Sequence, residues 1–185
     1  MDLGLFVLRV VVGALLAGHG AQKLLGWFDG PGLKATGDHF ESIGYRPGRP
    51  YAAVAGLAEV AGGVLLFLGL FMPVAAAIVI GQMLNAAVSV HAKNGLWVTK
   101  GGYEYPLVLG AVGVMFGFTS AGAWSLDHGL GLGFDFWLWG FFSLAAGLIV
   151  GGIVLGAREA EPETEIDLRT AAPATERRVE PAGRR

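Results

Sequence analysis

Apolar residues run in five long blocks, 3–25, 51–72, 74–90, 105–123 and 136–157, separated by polar or glycine-rich connections. Each block is near the roughly 20 residues that a helix needs to cross about 30 Å of hydrocarbon. In lipid, only helices and closed barrels satisfy every backbone N–H and C=O group, and these blocks lack the short alternation of barrel strands. The pattern therefore predicts an all-α protein embedded in a membrane.

The charges sort onto alternate connections. Lys23, Lys34, Arg46 and Arg49 surround the first, Lys93 and Lys100 lie in the third, and six arginines follow the last block. The extreme N-terminus, the turn at 71–73 and the connection 119–135 carry no Lys or Arg. Positive charge collects on the cytoplasmic side, so the N-terminus is expected outside and the C-terminus inside. Five spans require that same result.

The chain has 185 residues, 54% hydrophobic and 15% charged, which leaves no room for a second folded domain once the spans are counted. The first block does not read as a cleaved secretion signal, because its leading end has no positive charge and its interior carries Arg9, His19 and Lys23. There is no cysteine, which excludes thiolate chemistry, disulfides and thiolate-bound iron–sulfur clusters. From residue 158 onward the composition turns to Arg, Glu, Pro, Ala and Thr, which cannot bury an apolar face; a disordered cytoplasmic tail is expected.

Ionisable and amide side chains inside a span are costly unless paired or hydrated, so they mark the candidate chemistry. The first block holds Arg9, His19, Gln22 and Lys23; the second holds Glu59; the third holds Gln82 and Asn85, with Ser89 and His91 near its end. At about 100° per residue, Arg9, His19 and Lys23 share one stripe with Gly13 and Gly20, a stripe expected to face protein. Glu59 shares its face with Gly56 and Gly63, where small residues allow a neighbouring helix to approach. At about 1.5 Å per residue, Glu59, His19 and His91 lie roughly 20–25 Å from the outer surface, whereas Arg9 and Gln82 lie at roughly 9 and 12 Å. Arg9 is therefore expected to meet Gln82 or to snorkel outward, and Lys23 to snorkel at the inner boundary. Gln82, Asn85 and Ser89 read as interhelical hydrogen-bonding groups. Glu59 is the residue for which function outweighs structure, because an intramembrane carboxylate needs a proton or a cationic partner.

In the first connection, the amphipathic stretch 33–43 predicts a short surface helix. The third connection is rich in turn residues and brings Trp97, Tyr103, Glu104 and Tyr105 to the inner interface.

Taken together, Arg9 followed by Gly18-His19-Gly20-Ala21-Gln22-Lys23-Leu24, Phe40 with Gly44, Glu59 before Gly62 and Gly63, and His91 with Asn94 and Gly95 resemble the DoxX family of small bacterial membrane proteins. The run Gly101-Gly102-Tyr103-Glu104-Tyr105-Pro106 and the closing Trp124-Ser125-Leu126-Asp127 carry the same resemblance, which covers residues 3–128. It implies a four-helix bundle in the cytoplasmic membrane, and a link to quinone-coupled oxidation of sulfur compounds or to membrane complexes that resist oxidative stress. The chain departs from that pattern after residue 128. The expected division is a DoxX-like core over 1–128, a connection and extra transmembrane helix over 129–157, and the tail over 158–185. In the extra helix, Gly147 with Gly151 and Gly152 with Gly156 form two GxxxG pairs suited to docking on the bundle or on another copy.

The leading functional expectation is a quinone-interacting or accessory membrane subunit of an oxidoreductase system, in which a soluble partner supplies the redox centre. His19, Glu59 and His91 would line an inner-leaflet pocket, with Lys23, Arg9 and Glu104 as further ligand or proton-handling candidates. An apolar slot with one or two proton-exchanging groups is what a quinone requires. No cofactor motif or metal set is recognisable, and nucleic acid is not an expected partner. The alternative is a non-enzymatic membrane scaffold or small-solute carrier; a third reading places a haem between His19 and His91.

Overall fold

A computed structural model describes residues 2–159; the stretch 160–185, expected as most of the tail, lies outside the described residues. Helix α1 (Asp2–Leu25) leads through a short amphipathic α2 (Gly32–Ser42) to α3 (Gly48–Leu68). Helix α4 (Met72–Ala86) continues through a π-helical turn (Ala87–His91) and a 3₁₀ turn (Ala92–Asn94), and α5 (Glu104–Gly117) follows. A single turn, α6 (Leu126–Gly129), precedes the last helix, α7 (Phe136–Gly156). No strand occurs among the described residues.

The predicted protein-facing stripe on α1 holds for Arg9, Gly13 and Gly20, whereas His19 is exposed at its edge. Arg9, Val12, Gly13, Leu16 and Gly20 are buried, while Leu3, Val7, Val11 and Leu15 recur every fourth residue on the exposed face that lipid would cover. The buried glycines let α1 and α3 run antiparallel in backbone contact. A Cβ on Gly13 would lie 2.6 Å from the Gly63 carbonyl oxygen, and one on Gly20 would lie 2.6 Å from that of Gly56. Such small-residue contacts are how helices associate where lipid removes the hydrophobic drive between them.

Helix α3 stops at Gly69, whose φ of 65° is in the left-handed region that glycine adopts without strain. The Gly69 and Leu70 N–H groups donate to the Leu66 and Leu65 carbonyls at 3.1 and 2.9 Å, the pairing of a glycine-closed helix end. Pro73, in the first turn, then starts α4, where a missing N–H costs no helical bond. Helix α4 is the centre of the bundle, with α3, α5 and α7 packed around it. Helix α7 runs parallel to it: Ser143, fully buried, donates to the Pro73 carbonyl at 2.9 Å, and the backbones of Gly81 and Gly147 nearly touch. Of the two GxxxG pairs, Gly147 and Gly151 are thus used within the chain, while a Cβ on Gly152 or Gly156 would meet nothing within 4 Å.

Four helices are long and apolar enough to cross a bilayer: Asp2–Leu25, Gly48–Leu68, Met72–Asn94 and Phe136–Gly156. The fourth block, 105–123, differs from its expectation. Its helix α5 has 14 residues and ends at Gly117, so it covers only about 21 Å. Beyond it, Thr119 and Ser120 are poor helix formers and Gly122 sits at φ 83°, so 118–125 is irregular although its hydropathy resembles a helix. The segment still runs antiparallel to α4, with Gly110, Gly113 and Gly117 against Met83, Val79 and Ala76 in turn.

One end of the bundle therefore gathers the C-terminal ends of α1, α4 and α7 with α2 and the start of α5. The other gathers the N-terminus, the α3–α4 turn and α6. Between them lies a shared core that includes Val12, Leu16, Leu66, Val79, Leu109 and Phe116.

Candidate functional site

Glu59 lies on the face of α3 that carries Gly56 and Gly63, and both glycines touch α1. Because the two backbones meet there, Lys23, one turn beyond Gly20, reaches Glu59 and donates from Nζ to Oε1. Its side chain is 29% exposed against 6% for that of Glu59, so the pair is reached from the lysine side. Lys23 does not simply snorkel as expected; it is the counter-ion that a carboxylate at this depth needs. The second carboxylate oxygen, Oε2, is buried and accepts no hydrogen bond among the described residues. A buried acceptor with no partner is uncommon enough to call for a ligand or a proton.

His19 sits one turn before Lys23. Its Nδ1 hydrogen bonds to Gln22 Oε1 at 3.1 Å, and Gln22 Nε2 donates to the Phe28 carbonyl at 3.2 Å, which ties α1 to the loop before α2. Across from α1, the His19 ring meets Tyr105 of α5 edge to face with centroids 6.3 Å apart, and Tyr105 lies close enough to Glu59 to feel its charge. Thr36 of α2, buried, donates to the Lys23 carbonyl at 3.3 Å and covers this end of α1. Helix α1 packs along α3 and α5 along α4, and the His19–Tyr105 ring contact joins α1 to α5 at this end of the bundle.

The structure brings together Lys23, Glu59, His19 and, unanticipated as a member, Tyr105. His91 and Glu104 are engaged elsewhere at the same end. The His91 Nδ1 hydrogen bonds to the Gly101 carbonyl at 2.7 Å, and Glu104 Oε2 accepts the Val98 N–H at 2.9 Å. Both order the connection between α4 and α5.

Arg9 and Gln82 do not meet. Gln82 donates to the Ala55 carbonyl of α3 at 3.1 Å, while Arg9 donates to the carbonyls of Phe67 and Trp124. Phe67 lies in the last turn of α3, where carbonyls lack helical partners and a cation complements the helix dipole. A helical side chain also leans toward its own N-terminus, which carries the guanidinium away from Gln82 and toward that end. Beside it, Asp127 is buried and accepts the N–H groups of Phe71 and Met72 at 2.7 and 3.0 Å, capping α4. Asp127, which the sequence offered only as part of the Trp124-Ser125-Leu126-Asp127 run, is a positioning residue. The available signal was a carboxylate, one of two with Asp135, in an otherwise apolar connection without Lys or Arg.

Asn85 joins three segments, donating to Gly81 and to Gly151 of α7 at 3.0 Å each and accepting from the Tyr45 hydroxyl at 3.0 Å. Burial raises the Tyr45 phenol above its ordinary value, which keeps it a proton donor to that amide. The interhelical role expected of Gln82 and Asn85 is thus observed, while Ser89 bonds back to its own helix at Asn85. Among the described residues, no three His, Asp or Glu side chains converge as a metal site would require.

Chemically, the Lys23–Glu59 pair offers one free carboxylate oxygen, an ammonium and a neighbouring phenol at the edge of an apolar bundle. That set can accept and return a proton and can orient a polar head whose remainder is hydrocarbon.

A sequence model of the DoxX family matches residues 4–92. The chain is also similar to a protein of Haemophilus influenzae described as uncharacterized, 34% identical over 125 residues that make up 65% of this chain and 86% of that relative. No solved structure matches.

Proposed function

Since the chain belongs to the DoxX family of membrane proteins, we propose that it is a membrane subunit through which an oxidoreductase system reaches a membrane quinone. The observation that carries this reading is the buried Glu59, ion-paired through one oxygen and unpartnered at the other, beside the contact between His19 and Tyr105. A quinone offers carbonyl acceptors on a ring with a long apolar tail. Lys23 and the Tyr105 hydroxyl are the donors suited to such carbonyls, and Glu59 Oε2 is the acceptor suited to a quinol hydroxyl. Leu15, one turn from His19 on α1, and Val108, one turn from Tyr105 on α5, are exposed apolar residues suited to the tail.

Reduction of a quinone consumes protons as well as electrons. The chain has no cysteine and no recognisable cofactor motif, so a soluble partner is the proposed source of electrons. Proton exchange falls to Glu59, held by Lys23 and reached from the side on which Lys23 is exposed. The charge asymmetry of the connections supports placing this end at the cytoplasmic face of a bacterial inner membrane, where such a partner would dock.

The test is thermal unfolding of the purified protein with and without a short-chain quinone, for wild type and Glu59→Gln. Quinone should stabilise wild type and not the variant. An equal response in both proteins, or none in wild type, overturns the reading.

A second reading, a non-enzymatic scaffold, is favoured by the interhelical bonds of Gln82, Asn85 and Ser143. It predicts that Glu59→Gln loses only stability, with a fraction restored when Lys23 is neutralised as well.

A further inference from the structure

Arg9 is 2% exposed and carries a permanent positive charge. Two of its nitrogens donate to neutral backbone carbonyls, its Nε is buried without a partner, and no carboxylate lies within ion-pair distance among the described residues. Asp127, an opposing charge close enough to act on Arg9 through space, already spends both oxygens on the N–H groups of Phe71 and Met72. A buried charge is ordinarily paired, because desolvation is otherwise uncompensated.

Arg9 forms part of the wall of an open groove of about 460 Å³ whose other walls include Phe6, Val10, Phe67, Leu68, Trp124 and Leu126. The Phe6 ring lies 5.1 Å from the guanidinium carbon and meets Trp124 edge to face, so the floor is aromatic. A small polar anion would gain nothing from these walls, and a neutral apolar molecule would leave the charge unmatched. We infer that this groove binds an amphiphile with a carboxylate or phosphate head, the head against Arg9 and the hydrocarbon along Phe6, Phe67 and Leu68. The site does not depend on the Glu59 reading: Arg9 and Lys23 are separated by about 21 Å along α1, at opposite ends of the bundle.

The head belongs either to an anionic membrane phospholipid or to a free fatty acid. Protein purified in neutral detergent is unfolded thermally with phosphatidylglycerol, oleate, phosphatidylethanolamine or inorganic phosphate. Phosphatidylglycerol or oleate should raise Tm by about 5 °C at a hundredfold excess over Kd, and the more effective of the two identifies the source. Arg9→Gln should lose that shift. As it also surrenders two backbone bonds, Leu68→Trp is the second variant; it fills the groove without touching them and should keep the basal Tm while losing the lipid response. Equal stabilisation by phosphatidylethanolamine, stabilisation by inorganic phosphate alone, no anionic response, or an intact response in Leu68→Trp would each overturn the inference.

Discussion

Lys23 and Glu59 form an ion pair between α1 and α3 in which the lysine side chain is 29% exposed and the glutamate side chain 6%. The two partners therefore have unequal alternatives. Without Glu59, the ammonium can swing toward water or headgroups on its flexible stem. Without Lys23, the carboxylate stays where it is and must be desolvated alone or protonated.

Lys23→Met should consequently destabilise the protein by about 3 kcal/mol, and Glu59→Gln by only about 1 kcal/mol. The double variant should be more stable than Lys23→Met alone. Thermal or denaturant unfolding in detergent measures all three, and equal losses in the two single variants would contradict the asymmetry.

Close approach of α1 and α3 rests on glycines at particular positions and not on glycine content. A Cβ at Gly20 would lie 2.6 Å from the Gly56 carbonyl oxygen, whereas one at Gly18 would meet nothing within 4 Å. Gly20→Leu should cost about 3 kcal/mol or more. Gly18→Ala should be neutral or gain up to about 1 kcal/mol through helix propensity. Folded yield and Tm of the two variants provide the comparison.

Tyr45 supplies a pH dependence. Its phenol is buried and its proton affinity is raised in the folded state, so above about pH 10 the folded chain holds a proton that the unfolded chain has released. Its contribution to stability is complete below the unfolded value and declines as pH rises through the folded one. Tyr45→Phe should cost about 1 kcal/mol at neutral pH, through the lost bond to Asn85, and should flatten the alkaline part of the stability curve. An unchanged alkaline slope in Tyr45→Phe would remove Tyr45 as its source.

Single cysteines test the orientation, since the native chain has none. Ser42 and Ser120 are exposed at opposite ends of the bundle. With the positive connections inside, Ser120→Cys should react with an impermeant maleimide in intact cells and Ser42→Cys only after permeabilisation. The reverse pattern would invert the topology without altering the fold.

Much of the site was legible as a list, though not as a set of contacts. The stripe of Arg9, His19 and Lys23 and the small residues beside Glu59 follow from helical geometry within one segment; the structure keeps the small residues at the helix contact and buries Arg9, but leaves His19 exposed. The partners do not follow, because depth along a helix axis leaves rotation and side-chain reach open. Arg9 and Gln82 have similar estimated depths, yet they bond to different elements.

Hydropathy alone determined that the chain is helical and membrane-embedded, with its polar groups concentrated in the first three long segments and their connections, because burial in lipid constrains each segment separately. Segment length was less secure, since Thr119, Ser120 and Gly122 end helix order without ending the apolar run. Only the tertiary structure decided that Arg9 bonds to a carbonyl 115 positions away, that Asp127 caps α4, and that Gly147 and Gly151 dock α7 on the bundle. Such pairings depend on which faces meet once the helices assemble, and that free energy belongs to no single stretch of sequence.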